Sequence, residues 1–294
     1  MSAPRTQIWH RFRGNRRAVG SAALLFLMLA ACWAALPWTA TAMRNSTLDQ
    51  ARRPPSWQHP LGTDEMGRSL LARTLYGGAI SLGLGLLSAT IAVVIGTAYG
   101  ATAGYLGGRG DELMMRVVDV LFALPTLLLT MLFAVSLGAW LERWPGVGRE
   151  LARLIVLALA IGCVSWLTLA RVVRGQVLML REQPFIEATR ALGLPAWRVL
   201  AYHLLPNLVG PVAVFATLTV PQAILQESFL SFLCVGIQPP QATWGSLAAD
   251  GVRLLNPIRF DWWLVVFPCG ALSLTLLALS FIGDGLRDAC DVRG

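Results

Sequence analysis

The 294-residue sequence contains no lysine: all 24 of its basic residues are arginine, against 16 acidic ones. Charge of either sign is scarce, at 14% of the chain, where a soluble domain carries about 25%. With 55% apolar residues and a mean hydropathy of +0.60, this shortage excludes a string of soluble domains. It also excludes disorder, whose signature is low hydropathy. The net charge of +8 would suit nucleic acid, but outside residues 9–17 no basic block is interleaved with aromatics. The arginines instead flank apolar runs, as expected of loops that set membrane topology. Cys32, Cys163, Cys234, Cys269 and Cys290 form no C-x-x-C pair, which excludes a disulfide framework or a zinc site by spacing. His10, His59 and His203 are too scattered to form a metal site. No G-x-x-x-x-G-K-[ST] loop occurs, so this chain does not bind ATP by that route. Neither H-E-x-x-H nor G-x-S-x-G is found, which leaves a membrane peptidase or hydrolase unsupported.

What the chain does have is long charge-free runs, and a run of 18 or more apolar residues reads as a membrane span. The first runs from Ala18 to Met43, with Ala18 to Leu36 as its long apolar stretch, and follows Arg11, Arg13, Arg16 and Arg17. It resembles a signal peptide in layout but exceeds the usual apolar region of roughly 7–15 residues, so it reads as a retained span with its N-terminus inside. The second span is expected near Ile80 to Ala103, after an interfacial approach. The third is expected after Arg116 and Asp119, running to Trp140. The fourth covers Leu154 to Ala170, the fifth Asn207 to Gln226 and the sixth Trp262 to Ile282. Six spans place both termini in the cytoplasm, and the arginines lean modestly toward the segments assigned inside. The expected fold is an all-α polytopic membrane protein.

On the second span, small residues recur every four positions: Ser88, Ala92, Gly96, Gly100 and Gly104. Such a face lets two backbones approach closely in lipid, so Gly96, Gly100 and Gly104 are expected to pack against another span. Two carboxylates touch the apolar runs. Asp119 is expected one turn into the third span, within reach of Arg116, and Glu227 at the end of the fifth. An ionisable residue in a span is a functional candidate, but placement near the ends, within reach of headgroups or water, favours anchoring over ion coupling. Before the second span, Asp64 is expected to cap a short interfacial helix through Leu75.

The cytoplasmic segment 171–206 is long for a connection between spans. Glu187-Ala188-Thr189-Arg190-Ala191-Leu192 forms helices readily, and Gly193 suits the left-handed residue after its end. Pro195 suits the first turn of a second helix, Ala196 to Leu205, which is expected to stop before Pro206. A short exposed helix with an acidic start can sit in a groove on a partner protein, or can be an ordinary interfacial turn.

Glu187-Ala188, Gly193 and Leu205-Pro206 resemble, in spacing, the E-A-A-x3-G-x9-I-x-L-P motif of ABC-importer permeases. Thr189 replaces the second Ala and His203 replaces Ile. His59-Pro60-Leu61-Gly62-Thr63-Asp64-Glu65-Met66-Gly67-Arg68 is similar to the periplasmic motif of peptide and nickel permeases. Gly104-Tyr105-Leu106-Gly107-Gly108, Met114-Met115-Arg116 and Ala170-Arg171-Val172-Val173-Arg174-Gly175-Gln176 also match. Glu227-Ser228-Phe229-Leu230-Ser231-Phe232-Leu233 and Ile282-Gly283-Asp284-Gly285-Leu286-Arg287-Asp288 look most like the C-type subunit of oligopeptide importers.

This resemblance implies a type I ABC importer permease fold, with a permease domain over 77–288 preceded by a tail, first span and start of an outer loop over 1–60. It implies a bacterial inner-membrane location and no enzymatic activity in this chain. Expected partners are a homologous B-type permease, two ATPase subunits carrying ATP and Mg, and a periplasmic or lipid-anchored binding protein that delivers peptide. Oligopeptides are the expected cargo, with dipeptides, nickel chelates and antimicrobial peptides as alternatives. The segment Glu187 to Gly193, with Leu205 and Pro206, would couple to the ATPases. Gly62, Thr63, Asp64, Gly67 and Arg68 would form the outer motif. The rival reading, a secondary transporter, needs ion ligands at mid-membrane on broken helices. Pro125, Pro221 and Pro268 could break helices, but no carboxylate accompanies them at mid-span.

Overall fold

The computed structural model describes residues 5–42, 46–141, 148–233, 235–237, 239–255 and 260–290. Twelve helices over these residues carry the fold. After α1 (Arg5–Gly14), Asn15 starts α2 (Arg16–Ala34) by accepting hydrogen bonds from Arg17 N and Ala18 N at 3.2 and 3.3 Å. The apolar run turns at Ala35 and continues as α3 (Leu36–Ala42), where Pro37 suits a first turn.

α4 (Leu70–Leu106) is one unbroken helix of 37 residues, about 55 Å at 1.5 Å per residue. It therefore combines the expected interfacial approach and the second span. Its N-cap is Ser69, whose Oγ accepts from Ala72 N at 3.5 Å, rather than Asp64. Its C-terminal end turns at Gly107 and Gly108, with φ of 64° and 54°. There the Arg181 guanidinium donates to the Gly104 and Tyr105 carbonyls at 3.4 and 3.3 Å, where a cation favours the negative end of the dipole.

The third span departs from expectation. α5 (Gly108–Phe122) and α6 (Thr126–Leu141) meet at 91° around Ala123, Leu124 and Pro125. A proline disfavours helical geometry in the residue before it. Asp119 thus lies on amphipathic α5, before the bend, and not one turn into a single straight helix. It accepts from Arg171 at 2.8 Å, while Arg116 pairs with Glu112 at 3.2 Å. Asp111 fastens the other end of α5 through a two-pronged pair to Arg174 at 2.5 and 2.6 Å. α7 (Arg149–Arg181) continues past the expected end at Ala170 by three turns, so much of the expected cytoplasmic loop is helix.

α8 (Pro184–Ala191) and α9 (Ala196–Val199) follow, then a π-turn over Leu200–Leu204 that runs into α10 (Leu205–Phe232). α11 (Trp244–Arg253) has 10 residues, about 15 Å. It is too short to cross and packs against α4, α10 and α12 (Trp263–Cys290). Among the described residues, five helices are long and apolar enough to cross a membrane by themselves, and the number is six if the bent α5–α6 pair counts as one span.

The tightest pairing is α4 with α7. A Cβ on Gly96 would stand 2.9 Å from the Trp166 carbonyl; on Gly100 it would overlap the Ala170 carbonyl; on Gly104 it would stand 2.9 Å from Val177 Cβ. Gly162 on α7 answers with a similar approach to Ile91 and the Ser88 carbonyl. At Gly100 glycine is required because backbone alone fills the space, and at Gly96 and Gly104 a carbonyl and the root of a β-carbon do so together.

Candidate coupling segment and outer motif

α8 is anchored along one face. Ile186 is fully buried in a cluster with Val173 and Val177 of α7, Val199 of α9, and Leu204 and Leu208 at the head of α10. Thr189, one turn on, is also buried, its hydroxyl donating to the Ile186 carbonyl at 2.7 Å. The three-residue spacing puts both on one face. Glu187 and Ala188 face outward, and so do Ala191 and Leu192 beyond them. Arg190 lies on the same helix. Thr189, which departs from the family pattern, thus occupies an inward position where its hydroxyl has a backbone partner.

Gly193 has φ of 72°. The Leu194 amide donates to the Thr189 carbonyl at 3.2 Å, and Leu194 packs onto the Ile186 cluster. This is the six-to-one closure with its accompanying apolar contact that ends a helix on a left-handed glycine. Pro195 then caps α9, its carbonyl accepting from Arg198 N at 2.9 Å and Val199 N at 3.2 Å. The expected stop before Pro206 does not occur. Leu205 N donates five residues back to Leu200 O, and this widened turn takes in a proline that lacks a donor and crowds the carbonyl four residues earlier. Leu205 and Pro206 are therefore the first residues of a helix that runs into the membrane. Around α8 the tip exposes Leu192 at 80%, Trp197 at 60% and Tyr202 at 67%. An acidic helix start thus stands beside an apolar surface.

The outer motif is a compact hydrogen-bonded turn. Thr63, fully buried, donates to the Gln50 carbonyl at 2.6 Å and accepts from Arg53 N at 2.8 Å. Asp64 Oδ1 accepts from Met66 N at 2.9 Å and Arg68 N at 2.8 Å. Its Oδ2 accepts from Arg68 Nε at 2.7 Å and Arg73 Nη1 at 2.8 Å. Asp64 thus caps a turn and neutralises a buried arginine rather than capping a helix. Arg73 also reaches Asp250 on α11 at 3.3 Å. Gly62 and Gly67 hold φ of 81° and 73°. A Cβ on Gly67 would overlap the Thr47 carbonyl, and one on Gly62 would stand 2.8 Å from the Arg53 carbonyl.

Glu227 lies elsewhere than expected. α10 extends to Phe232, so this residue is internal to the helix, and it is fully buried. Ser81 of α4 donates to it at 3.2 Å and Ser231 of α10 at 2.8 Å. Ser81 in turn accepts from the Trp244 amide at 3.2 Å, and Thr243 donates to Ser231 at 3.5 Å. The carboxyl group therefore joins α4, α10 and the start of α11. The four-residue spacing of Glu227 and Ser231 was the available signal; Ser81 and Thr243 had none. Cys32, Cys163, Cys269 and Cys290 are free thiols scattered among the helices, and Cys234 lies outside the described residues.

Comparison with known proteins fits this arrangement. Residues 92–293 match the family described as "Binding-protein-dependent transport system inner membrane component". The chain is 42% identical over 286 residues to the dipeptide transport system permease protein DppC of Bacillus subtilis (strain 168), covering 97% of this chain and 84% of that one. It is 40% identical over 286 residues to the oligopeptide transport system permease protein OppC of Haemophilus influenzae, covering 96% and 86%. It is 41% identical over 290 residues to OppC of Escherichia coli (strain K12), covering 96% and 89%. Among solved structures, an inward-facing chain of the MetNI methionine ABC transporter superposes with a TM-score of 0.58 at 18% identity, covering 76% of this chain and 98% of that one. That likeness shows the fold, a type I ABC importer permease. On the family match and the relatives together, the chain belongs to the inner-membrane permease components of binding-protein-dependent transport systems.

Proposed function

We propose that this chain forms half of the translocation pathway of an ATP-driven peptide importer, with oligopeptides as cargo, and that α8 couples it to ATPase subunits. The observation that carries the reading is the build of α8. Glu187 and Ala188 project outward, while Ile186 and Thr189 seat the helix on α7 and on the head of α10. A push on the exposed face is therefore delivered to two long helices. A second permease of the same family completes the pathway. Two ATPases bind the α8 face with ATP and Mg, and a periplasmic or lipid-anchored binding protein delivers peptide to the other face. Both termini then lie in the cytoplasm, with the outer motif and α11 on the opposite side. The permease proper spans 77–288, preceded by the tail, first span and start of the outer loop over 1–60.

ATP draws the ATPases together, α8 moves with them, and α7 and α10 tilt between inward-open and outward-open arrangements. The driving force is the difference in ATP affinity between the two states. The 42% identity to a dipeptide permease keeps dipeptides as a second cargo. The test is reconstitution with partners. Glu187→Arg should lower ATPase copurification, peptide uptake and binding-protein-stimulated ATP turnover together, while insertion stays intact. Wild-type uptake in that variant would remove α8 as the coupling element.

A further inference from the structure

The part of the chain that precedes the first span carries a surface that the transport reading does not use. No Asp or Glu occurs before Asp49, whereas Arg11, Arg13, Arg16 and Arg17 fall within seven residues. Arg11 is engaged within the chain. Arg13, Arg16 and Arg17 are exposed. Arg13 lies over the Trp9 ring at 5.5 Å, and Trp9, itself 58% exposed, stacks with Phe12 at 6.4 Å. The surface is held in place: Phe12, Asn15 and Ala18 pack against α12 around Gly285, where an added Cβ would overlap Ala18. The charged groups on that end of α12 are Asp284, Arg287 and Asp288, all exposed.

Depth identifies the occupant. α2 has 19 residues, about 28 Å, close to the roughly 30 Å hydrocarbon core. Arg16 and Arg17 therefore stand where the hydrocarbon ends and headgroups begin. Phe26 and Leu27 on α2 are exposed and face away from the helices of this chain. Arg16 and Arg17 also occupy the first turn of α2, where the dipole disfavours cations and no acidic residue shares the turn. An anionic group there would offset both effects. We propose that α1 and the first turn of α2 bind the phosphate headgroups of anionic phospholipids, with Trp9 at the interface and Arg13, Arg16 and Arg17 as the charge clamp. This proposal is independent of cargo and of the coupling role of α8.

The test uses the full-length chain in nanodiscs of phosphatidylcholine with and without phosphatidylglycerol. Phosphatidylglycerol retained per chain is read by native mass spectrometry. Trp9 emission is followed with brominated lipids of each headgroup, using Trp9→Phe as the blank. Wild type should retain phosphatidylglycerol, and Trp9 should be quenched more by its brominated form than by brominated phosphatidylcholine. The triple variant Arg13→Gln, Arg16→Gln, Arg17→Gln should lose about tenfold or more of that retention. The triple lysine variant should keep most of it, because the charge remains. Equal retention in wild type and the triple Gln variant overturns the proposal. So does unchanged lipid retention accompanied by loss of a copurifying protein, which would mark a protein interface. If the triple Gln variant does not fold, the Trp9 quenching comparison decides by itself: equal quenching by the two lipids overturns the proposal.

Discussion

Gly193 separates backbone conformation from packing, because its φ is 72° yet an added Cβ would meet nothing within 4 Å. Any cost of substitution there is therefore conformational. An L-residue in the left-handed region costs roughly 1–2 kcal/mol, and a β-branched one costs more. The turn is closed by the hydrogen bond from Leu194 N to Thr189 O at 3.2 Å, worth about 0.5–1.5 kcal/mol net, plus the packing of Leu194. Alanine should bring cost and closure into near balance, and valine should exceed it and release α8 from its angle to α9. Asparagine, which tolerates this region, should lose least. A shift of about 1.4 kcal/mol is tenfold in population, so Gly193→Ala should lower the fraction of correctly turned protein measurably, and Gly193→Val by more than that. The assay is ATP-dependent peptide uptake and binding-protein-stimulated ATP turnover in the reconstituted complex, with insertion checked separately. The expected order of activity is Gly, Asn, Ala, Val, with uptake and turnover falling in parallel. Equal activity across all four residues would refute the reasoning, since it would mean the turn geometry does not matter to coupling.

In the outer motif, Asp64→Ala leaves the buried Arg73 with Asp250 alone and should cost about 3–5 kcal/mol. Adding Arg73→Met should give a double variant less impaired than the sum of the two, measured by a double-mutant cycle of thermal unfolding; simple additivity would show that the pair is not coupled. On the α4–α7 contact, Gly100→Ala should destabilise by about 1–3 kcal/mol, since backbone cannot move aside. Gly175→Ala, where a Cβ meets nothing within 4 Å, should be neutral or gain up to about 1 kcal/mol from helix propensity; detergent-induced unfolding would reverse this expectation if the two behave alike. Glu227→Leu removes the acceptor of the Ser81 and Ser231 hydroxyl protons and should cost about 1–3 kcal/mol for each buried donor that loses its acceptor. Glu227→Gln keeps an acceptor and should cost less, and a leucine variant as stable as wild type by differential scanning fluorimetry would contradict the inferred role.

Whatever depends on neighbours within a turn or two was legible in the residues. The apolar runs announced the crossing helices. The small-residue repeat at Gly96, Gly100 and Gly104 announced a flat face, and the order Glu187, Gly193, Pro195 announced a short helix, a left-handed turn and a restart. The positive φ at Gly193 follows from a residue lacking Cβ at a helix end. What the sequence could not supply depends on which helices meet. It gave no sign that the flat face is filled by Trp166, Leu169 and Ala170 of α7, because close packing in lipid specifies a partner by shape and not by spacing. The pairing of Arg73 with Asp250, 177 residues apart, and the enclosure of Glu227 by hydroxyls from three helices likewise arise from tertiary contact. Two local expectations failed for related reasons. Pro206 did not end its helix, because a π-turn rearranged the hydrogen bonds ahead of it. Asp119 did not begin a straight span, because α5 turns at 91° to α6 and is fastened to α7 by Arg171 and Arg174. In both places a proline marks where the backbone must change course, but the packing around it decides whether the helix bends, widens or stops.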